Sequence, residues 1–248
     1  MPRIGSVAIR RRRVPSLAQL HSNLPRVTTS LINSKYCSAA LALVLALAAR
    51  TACAQFGVPW THSPSVTIVA NGDDPRIGFV EGAVAFWNKT LEEIGSGFRI
   101  GAITRVDQPI PEDALQRASE AIVGSVGRTR APLPDLLGNL PGDLVIFLAD
   151  AEFVSFAAAP FDRSGRRYVA IRGLEYPPLN LPNVAANVVA HEIGHAIGLG
   201  HNVDPKFLMC GRPAPCRPGA FQSAEPRMFP ITDEERQQLL RMYPRNWK

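Results

Sequence analysis

Acidic side chains are absent from the first 54 residues of this 248-residue chain, and that absence decides how its charge is interpreted. The formal net charge is +6, which taken alone suggests a nucleic-acid partner. Eight Lys or Arg residues fall within residues 1–54, whereas residues 55–248 carry 19 basic and 21 acidic side chains, a balance of −2. Because the basicity belongs to the N-terminal segment, we expect no nucleic-acid partner.

Long apolar runs are also missing, apart from residues 38–49. That Ala/Leu-rich run follows the basic residues 10–13 and precedes Ala52-Cys53-Ala54, a small-x-small pattern that a signal peptidase accepts. It predicts a leader over residues 1–54 that is cleaved after Ala54, a secreted or periplasmic protein and no stable membrane anchor. An organelle transit peptide is the alternative, because the leader is rich in Arg and Ser.

Cysteine is scarce, with four residues in the chain and two of them inside the leader. Cys210 and Cys216 remain, close together in a Pro/Gly-rich stretch. In an oxidising compartment this pair favours a disulfide that closes a small loop, with free thiols as the alternative. Two cysteines from one short loop do not supply the four ligands of a cysteine-bound zinc site.

Short apolar or β-branched runs between turn residues predict five strands, and helical periodicity predicts four helices. The predicted strands are residues 66–70, 98–106, 144–148, 154–159 and 167–171. The predicted helices cover residues 77–94, 112–126, a stretch from about 183, and 232–243. Thr232 and Glu235 have the spacing of a capping box at the start of the last helix.

Histidine is scarce as well, and three of the five in the chain fall within residues 191–201, HEIGHAIGLGH. On a helix, His191 and His195 lie one turn apart on the same face and can bind one zinc ion. Gly198 lets the chain turn, because glycine tolerates a positive φ, so that His201 can return as a third ligand. Three protein ligands leave a position open, which is typical of catalytic zinc.

Glu192 lies beside the first histidine and is not needed as a ligand. It is the candidate general base, taking a proton from a zinc-activated water that attacks a carbonyl, with no Ser or Cys nucleophile. The pattern therefore predicts a zinc-dependent hydrolase. The first interpretation is hydrolysis of a polypeptide, and two alternatives stay open, namely hydrolysis of a non-protein amide or ester and an inactive zinc-binding recognition domain.

HExxHxxGxxH is the zinc signature of the metzincin peptidases, and residues 191–201 resemble it at every fixed position. Phe207-Leu208-Met209 is similar to the methionine turn of the matrixins, one branch of that family. The resemblance implies a zinc endopeptidase in which Met209 forms a hydrophobic floor beneath the metal and is not a ligand.

The resemblance extends over roughly residues 60–245 and implies an α+β catalytic domain, residues 55–248. Its upper lobe, about 60–198, would hold a twisted mixed sheet, mainly parallel with one antiparallel edge strand, and two long helices. Its lower lobe, about 199–248, would be small and irregular and would end in a helix.

The matrixin resemblance also implies a substrate site along residues 154–160, which are similar to the edge strand that pairs with an extended polypeptide. The tentative substrate-binding residues are Val154, Ser155, Phe156, Ala157 and Ala158. A plain sheet edge without a binding role is the alternative. Residues after Met209, within 221–230, are expected to shape a pocket beside the metal.

Two matrixin features are missing from the sequence. No His-x-Asp element lies between Leu148 and Phe153, and residues 166–172 contain neither histidine nor an acidic residue. We therefore expect one catalytic zinc per chain, with no structural zinc and no calcium. The expected partner is a polypeptide substrate, and a monomer is favoured.

Overall fold

The structure is a computed structural model that describes residues 58–123, 139–159, 165–211, 216 and 227–248. All of them belong to one unit, Ala49–Lys248. The leader predicted over residues 1–54 lies outside the described residues, and so does the predicted end of the second helix at 126. Among the helices of the described part, none combines the length and the apolar character needed to span a membrane.

Five strands and four helices form within the described residues. The strands are β1 (Val66–Ala70), β2 (Ile103–Asp107), β3 (Leu144–Leu148), β4 (Phe156–Ala158) and β5 (Arg167–Ile171). The helices are α1 (Arg76–Glu93), α2 (Glu112–Val123), α3 (Pro182–Ala196) and α4 (Asp233–Met242). The mixed α and β composition and the two long helices, α1 and α3, confirm the predicted fold class.

The five strands form one sheet in the order β2-β1-β3-β5-β4. β1, β2, β3 and β5 run parallel, with Val66 opposite both Ile103 and Leu144. β4 runs antiparallel to β5 and ends the sheet on one side, with Ala157 opposite Val169. The predicted mixed sheet with one antiparallel edge strand is therefore confirmed.

Both faces of the central strands are buried, as continuous apolar runs predict for parallel strands. On one face, Leu144, Ile146 and Leu148 pack in a core together with α1 and α3. On the other face, Val145 and Phe147 pack in a second core with residues of α2. Because side chains alternate along a strand, one five-residue run supplies both cores.

Two strands are shorter than predicted, because side chains bind the main chain next to them. Residues 98–102 are not part of β2: Asn88 accepts from the Ile100 amide at 2.8 Å and donates to its carbonyl at 3.0 Å. β4 begins only at Phe156. Two residues earlier, the amide and the carbonyl of Val154 both bond to the Ser119 hydroxyl, at 3.1 and 2.8 Å.

The last helix begins with the predicted capping box. The Thr232 hydroxyl accepts from the Glu235 amide at 3.1 Å, and the Glu235 carboxylate accepts from the Thr232 amide at 2.7 Å. Glu235 also accepts a hydrogen bond from the Asn202 side chain at 2.8 Å. The start of α4 is thereby tied to the residue that follows His201.

Asp143 joins the starts of β1 and β3. Its carboxylate accepts from the amide and the hydroxyl of Ser65 at 2.8 and 2.7 Å, and His62 lies 3.2 Å away. Burial raises the pKa of Asp143, but the bonds from Ser65 and the contact with His62 outweigh it, so that the pKa lies below its usual value of 3.8.

We expect Asp143→Asn to lower the free energy of unfolding at pH 7 by roughly 1 kcal/mol, because two charge-assisted bonds become neutral ones. A carboxyl with a depressed folded-state pKa stabilises the fold above its unfolded-state pKa, and the effect is lost as the pH falls through the folded-state value. In urea unfolding, the difference in the free energy of unfolding between the wild type and Asp143→Asn should decrease below about pH 3.8. Asp73→Asn, at an exposed position, is the control. A difference that stays constant down to pH 3 would contradict the role of Asp143.

Candidate metal centre

Helix α3 carries two of the three candidate ligands, His191 and His195, and packs against α1 and against strands β4 and β5. The helix begins at Pro182, where a backbone N–H would have no partner inside the helix, so proline is tolerated. The faces of α3 that point toward the core are apolar. The Trp87 indole of α1 donates to the Ala190 carbonyl at 2.8 Å, beside the first histidine. This bond fixes the helix against α1 at the level of the site.

The three predicted histidine ligands converge in the structure. The ring centroids of His191 and His195 are 4.6 Å apart, those of His195 and His201 4.6 Å, and those of His191 and His201 5.2 Å. One ring nitrogen from each lies within 4.8 Å of the other two, so the three can share one metal ion. Within the described residues they form the one group of three His, Cys, Asp or Glu side chains with this property.

Backbone carbonyls decide which ring nitrogens face the centre. Nδ1 of His191 lies 2.8 Å from the Leu208 carbonyl, and Nδ1 of His195 lies 2.8 Å from the Leu199 carbonyl. A carbonyl only accepts, so each Nδ1 carries the proton and each Nε2 offers a lone pair. The Nε2 atoms of His195 and His201 are 3.0 Å apart.

Burial favours the neutral form of the His195 ring, which is the form that binds a metal. Burial lowers the pKa of His195 well below its usual value, the neighbouring His191 and His201 lower it further, and the bond to Leu199 opposes the shift. Three imidazoles whose ring nitrogens lie within 4.8 Å of one another are a ligand set of catalytic zinc sites, so the residues present fit that ion.

The turn that brings His201 back occurs at Gly198, as predicted. Its φ is +108°, and the amides of Gly198 and Leu199 donate to the carbonyls of His195 and Gly194 at 2.9 and 3.0 Å. This is the double hydrogen bond of a Schellman motif, which requires a left-handed residue at its centre.

Side chains from distant parts of the chain bind the last carbonyls of α3. The Trp60 indole donates to the Ala196 carbonyl at 3.0 Å, and the buried Arg167 guanidinium donates to the same oxygen. The Tyr243 hydroxyl donates to the Ile197 carbonyl at 2.9 Å and accepts from the Trp60 amide at 3.2 Å. We call Trp60, Arg167 and Tyr243 the helix-end cluster.

The helix-end cluster is also electrostatically favourable at the C-terminal end of α3. The C-terminus of a helix is partially negative, and Arg167 brings a positive charge to it while lying 4.3 Å from the centre of the Trp60 ring. Burial lowers the pKa of Arg167, and Tyr243 opposes that shift. Gln238 of α4 donates to the Gly198 carbonyl at 3.0 Å, so the turn itself is held as well.

His201 is exposed, and its ring is fixed by the chain that folds over it. The Asn202 amide donates to the Met209 carbonyl at 2.9 Å, and the Gly211 amide donates to the Asn202 carbonyl at 3.1 Å. A Cβ on Gly211 would lie inside contact distance of the His201 ring, so only glycine fits there.

Met209, the candidate residue of the methionine turn, is fully buried and lies against α3 at Gly194. A Cβ placed on Gly194, between the two helical histidines, would lie 2.5 Å from the Met209 sulfur and 2.8 Å from Trp87. The close approach of α3 to this floor therefore requires glycine at position 194.

Glu192 lies next to His191 and is 7% exposed. Burial raises the pKa of its carboxyl well above the usual value, and a hydrogen bond with the backbone of Ala157 opposes the shift. Because Ala157 belongs to β4, the candidate base directly contacts the edge strand of the sheet.

The predicted substrate-binding residues divide into two groups. Phe156, Ala157 and Ala158 form β4. Val154 and Ser155 precede it, and both main-chain polar groups of Val154 are bonded to Ser119. Near the site, a cavity of about 450 Å³ is lined by Pro205, Lys206, Arg227, Met228, Phe229 and Pro230.

Cys210 and Cys216 form the predicted disulfide, with Cα atoms 5.7 Å apart.

The sequence did not indicate the residues that support the ligands, namely Trp60, Arg167, Gly211 and Tyr243. Only Gly211 left a signal, a glycine two residues beyond the methionine turn. The expected absence of a second zinc and of calcium stays a prediction.

The three histidines form a candidate site for one metal ion, and known structures are similar to this chain in fold. The archaemetzincin of Methanopyrus kandleri is similar over 73% of this chain and 96% of its own, with 19% identity and a TM-score of 0.41. The metalloproteinase-II of Bacteroides fragilis is similar over 75% of this chain, with 14% identity and a TM-score of 0.43.

A third similar structure is described as a chaperone–substrate complex, with 13% identity over 74% of this chain and a TM-score of 0.41. The chain spans 54% of the metalloproteinase-II and 36% of this third protein. No family model and no curated protein matches the sequence. A functional assignment therefore relies on the side chains of the site.

We expect Gly211→Ala to weaken zinc binding about 10-fold or more, because the new methyl group displaces the His201 ring. Zinc affinity would be measured by competition with a chromophoric chelator. Gly82→Ala in α1 is the matched control, since a Cβ there meets nothing within 4 Å and alanine favours the helix. Equal zinc affinity in the two variants would show that Gly211 does not fix His201.

Proposed function

We propose that the protein is a secreted zinc-dependent endopeptidase of the metzincin kind, with a methionine turn similar to that of the matrixins. One observation carries the proposal: three imidazoles converge on one point, and the carboxyl of Glu192 lies beside them in contact with the edge strand β4. Zinc held by the three histidines would polarise a carbonyl oxygen and lower the pKa of a water molecule.

Glu192 has the position of a proton acceptor for that reaction. Its carboxyl is hydrogen-bonded to the backbone of Ala157, whereas the carbonyls of Leu199 and Leu208 hold the helical histidines, so the base and these ligands have separate supports. As the general base it takes a proton from the attacking water, and it can then return that proton to the departing amine.

The edge strand supports a polypeptide as the substrate. β4 is the last strand of the sheet, so its second side faces no further strand among the described residues. A peptide in extended conformation can add to that side by main-chain hydrogen bonds, which recognise a polypeptide without regard to its side chains. The contact between Ala157 and Glu192 then brings the peptide next to the base.

We expect Glu192→Gln to retain zinc but to lose cleavage of a peptide library by about 10²- to 10⁴-fold, because the amide cannot accept the proton. Zinc content by mass spectrometry and cleavage with and without a chelator are the measurements. Glu120→Gln, at an exposed position of α2, is the matched control and should cleave normally.

The other outcomes separate the alternatives. If zinc binds and neither the wild type nor the variant cleaves peptides, the endopeptidase proposal fails. Turnover of a small amide or ester would then identify a different zinc hydrolase. If no substrate is turned over, the protein is a zinc-binding recognition domain. A protein that binds no zinc would overturn the metal site itself.

Secretion is proposed on the leader alone, with its apolar run and its small-x-small pattern. We expect the protein recovered from the medium or the periplasm of a producing cell to begin at Gln55. N-terminal sequencing tests this. Retention of the unprocessed chain in the cytoplasm would contradict it.

A further inference from the structure

Four polar side chains form a stripe along α3 at intervals of four residues: Asn183, Asn187, His191 and His195. Residues four apart lie on the same helix face, so the stripe runs in one line through the metal centre. The two histidines belong to the site already described. The two asparagines lie one and two turns before it and have no role in that site.

Asn187 is fully buried, which is costly for an amide unless its polar atoms are bonded. Its Nδ2 donates to the Asn183 carbonyl and to the Arg227 carbonyl, both at 2.8 Å. Its Oδ1 accepts from the Phe229 amide at 2.9 Å. The side chain thus binds a carbonyl and an amide two residues apart, as a neighbouring strand would.

Residues 227–230, which we call the wall segment, belong to no strand or helix. The asparagines replace the missing strand partner, because Asn183 Oδ1 also accepts from the Arg227 amide at 3.0 Å. The wall segment contributes four of the six residues that line the cavity of about 450 Å³ near the site.

The wall segment leads back to the metal centre through the main chain of one residue, Leu208. The Leu208 amide donates to the Pro230 carbonyl at 2.8 Å, and the Leu208 carbonyl accepts from Nδ1 of His191 at 2.8 Å. The hydrogen bonds therefore form a ring that leaves α3 at Asn187 and returns to it at His191, one turn later.

We propose that Asn187 is a positioning residue of the metal centre, which fixes the His191 ring through the wall segment and the main chain of Leu208. The proposal rests on the proposed zinc site and goes beyond it, because Asn187 is not a candidate ligand and its hydrogen bonds go to Asn183, Arg227 and Phe229. A leucine of similar volume would satisfy the apolar core of α3 equally well but would leave the Phe229 amide and the Arg227 carbonyl without this partner.

The test compares Asn187→Leu with Val189→Ala in the full chain. Val189 is buried on the opposite side of the same helix, so its truncation destabilises α3 without entering the ring. Zinc affinity is measured by chelator competition, and urea unfolding of the metal-free proteins measures their stability. We expect about 10-fold weaker zinc binding for Asn187→Leu, the size seen when a ligand loses its orienting partner, and unchanged binding for Val189→Ala.

Wild-type zinc affinity in a folded Asn187→Leu variant would overturn the proposal. If that variant does not fold, hydrogen exchange in the wild-type protein decides. Because coupling is reciprocal, zinc should slow exchange at the amides of Leu208 and Phe229 more than at Gly101, whose loop amide donates to Pro64 at 2.9 Å. Equal slowing at all three amides would overturn the proposal.

Chelator competition and hydrogen exchange both measure zinc binding and not cleavage. The role of Asn187 and the endopeptidase function can therefore be rejected separately. A wild-type protein that binds zinc without cleaving peptides removes the endopeptidase function and leaves Asn187 as a positioning residue. Cleavage by the wild type, together with an unaffected Asn187→Leu variant, removes only the role of Asn187.

Discussion

The metal centre depends on how the C-terminal end of α3 is held. A helix leaves its last carbonyls without partners inside the helix, and here the chain must also reverse so that His201 reaches the two helical histidines. The helix-end cluster of Trp60, Arg167 and Tyr243 binds those carbonyls, and the turn at Gly198 completes the reversal. Without these bonds the third imidazole would have no fixed direction.

Backbone oxygens, rather than carboxylates, orient two of the imidazoles. The carbonyls of Leu199 and Leu208 belong to the segments immediately before and after His201, and both hold an Nδ1 proton. The same stretch of chain therefore supplies one ligand and the supports of the other two. Because these segments approach one another closely around Met209 and His201, Gly194 and Gly211 must lack side chains.

Local signals predicted much of the fold and the ligands themselves. β1, β3, β5, the capping box at Thr232 and the turn at Gly198 follow from patterns within a few residues, and HExxH spacing alone places His191 and His195. Long-range partners left no such pattern: nothing in the sequence around Arg167 or Trp60 indicates that they meet at Ala196. The ends of β2 and β4 were misplaced for the same reason, because Asn88 and Ser119 compete for main-chain groups from distant positions.

The helix-end cluster also has a consequence for the order of events during synthesis. All three candidate ligands leave the ribosome before Tyr243, whose hydroxyl bonds to a carbonyl 46 residues earlier, and Trp247 bonds back to Trp60 across 187 residues. Contacts of such separation form late, after most of the chain has been made. A nascent chain thus carries residues 191–201 while the contacts of Tyr243 are still missing, so we expect the candidate site to bind metal tightly only after the segment around Tyr243 has been made.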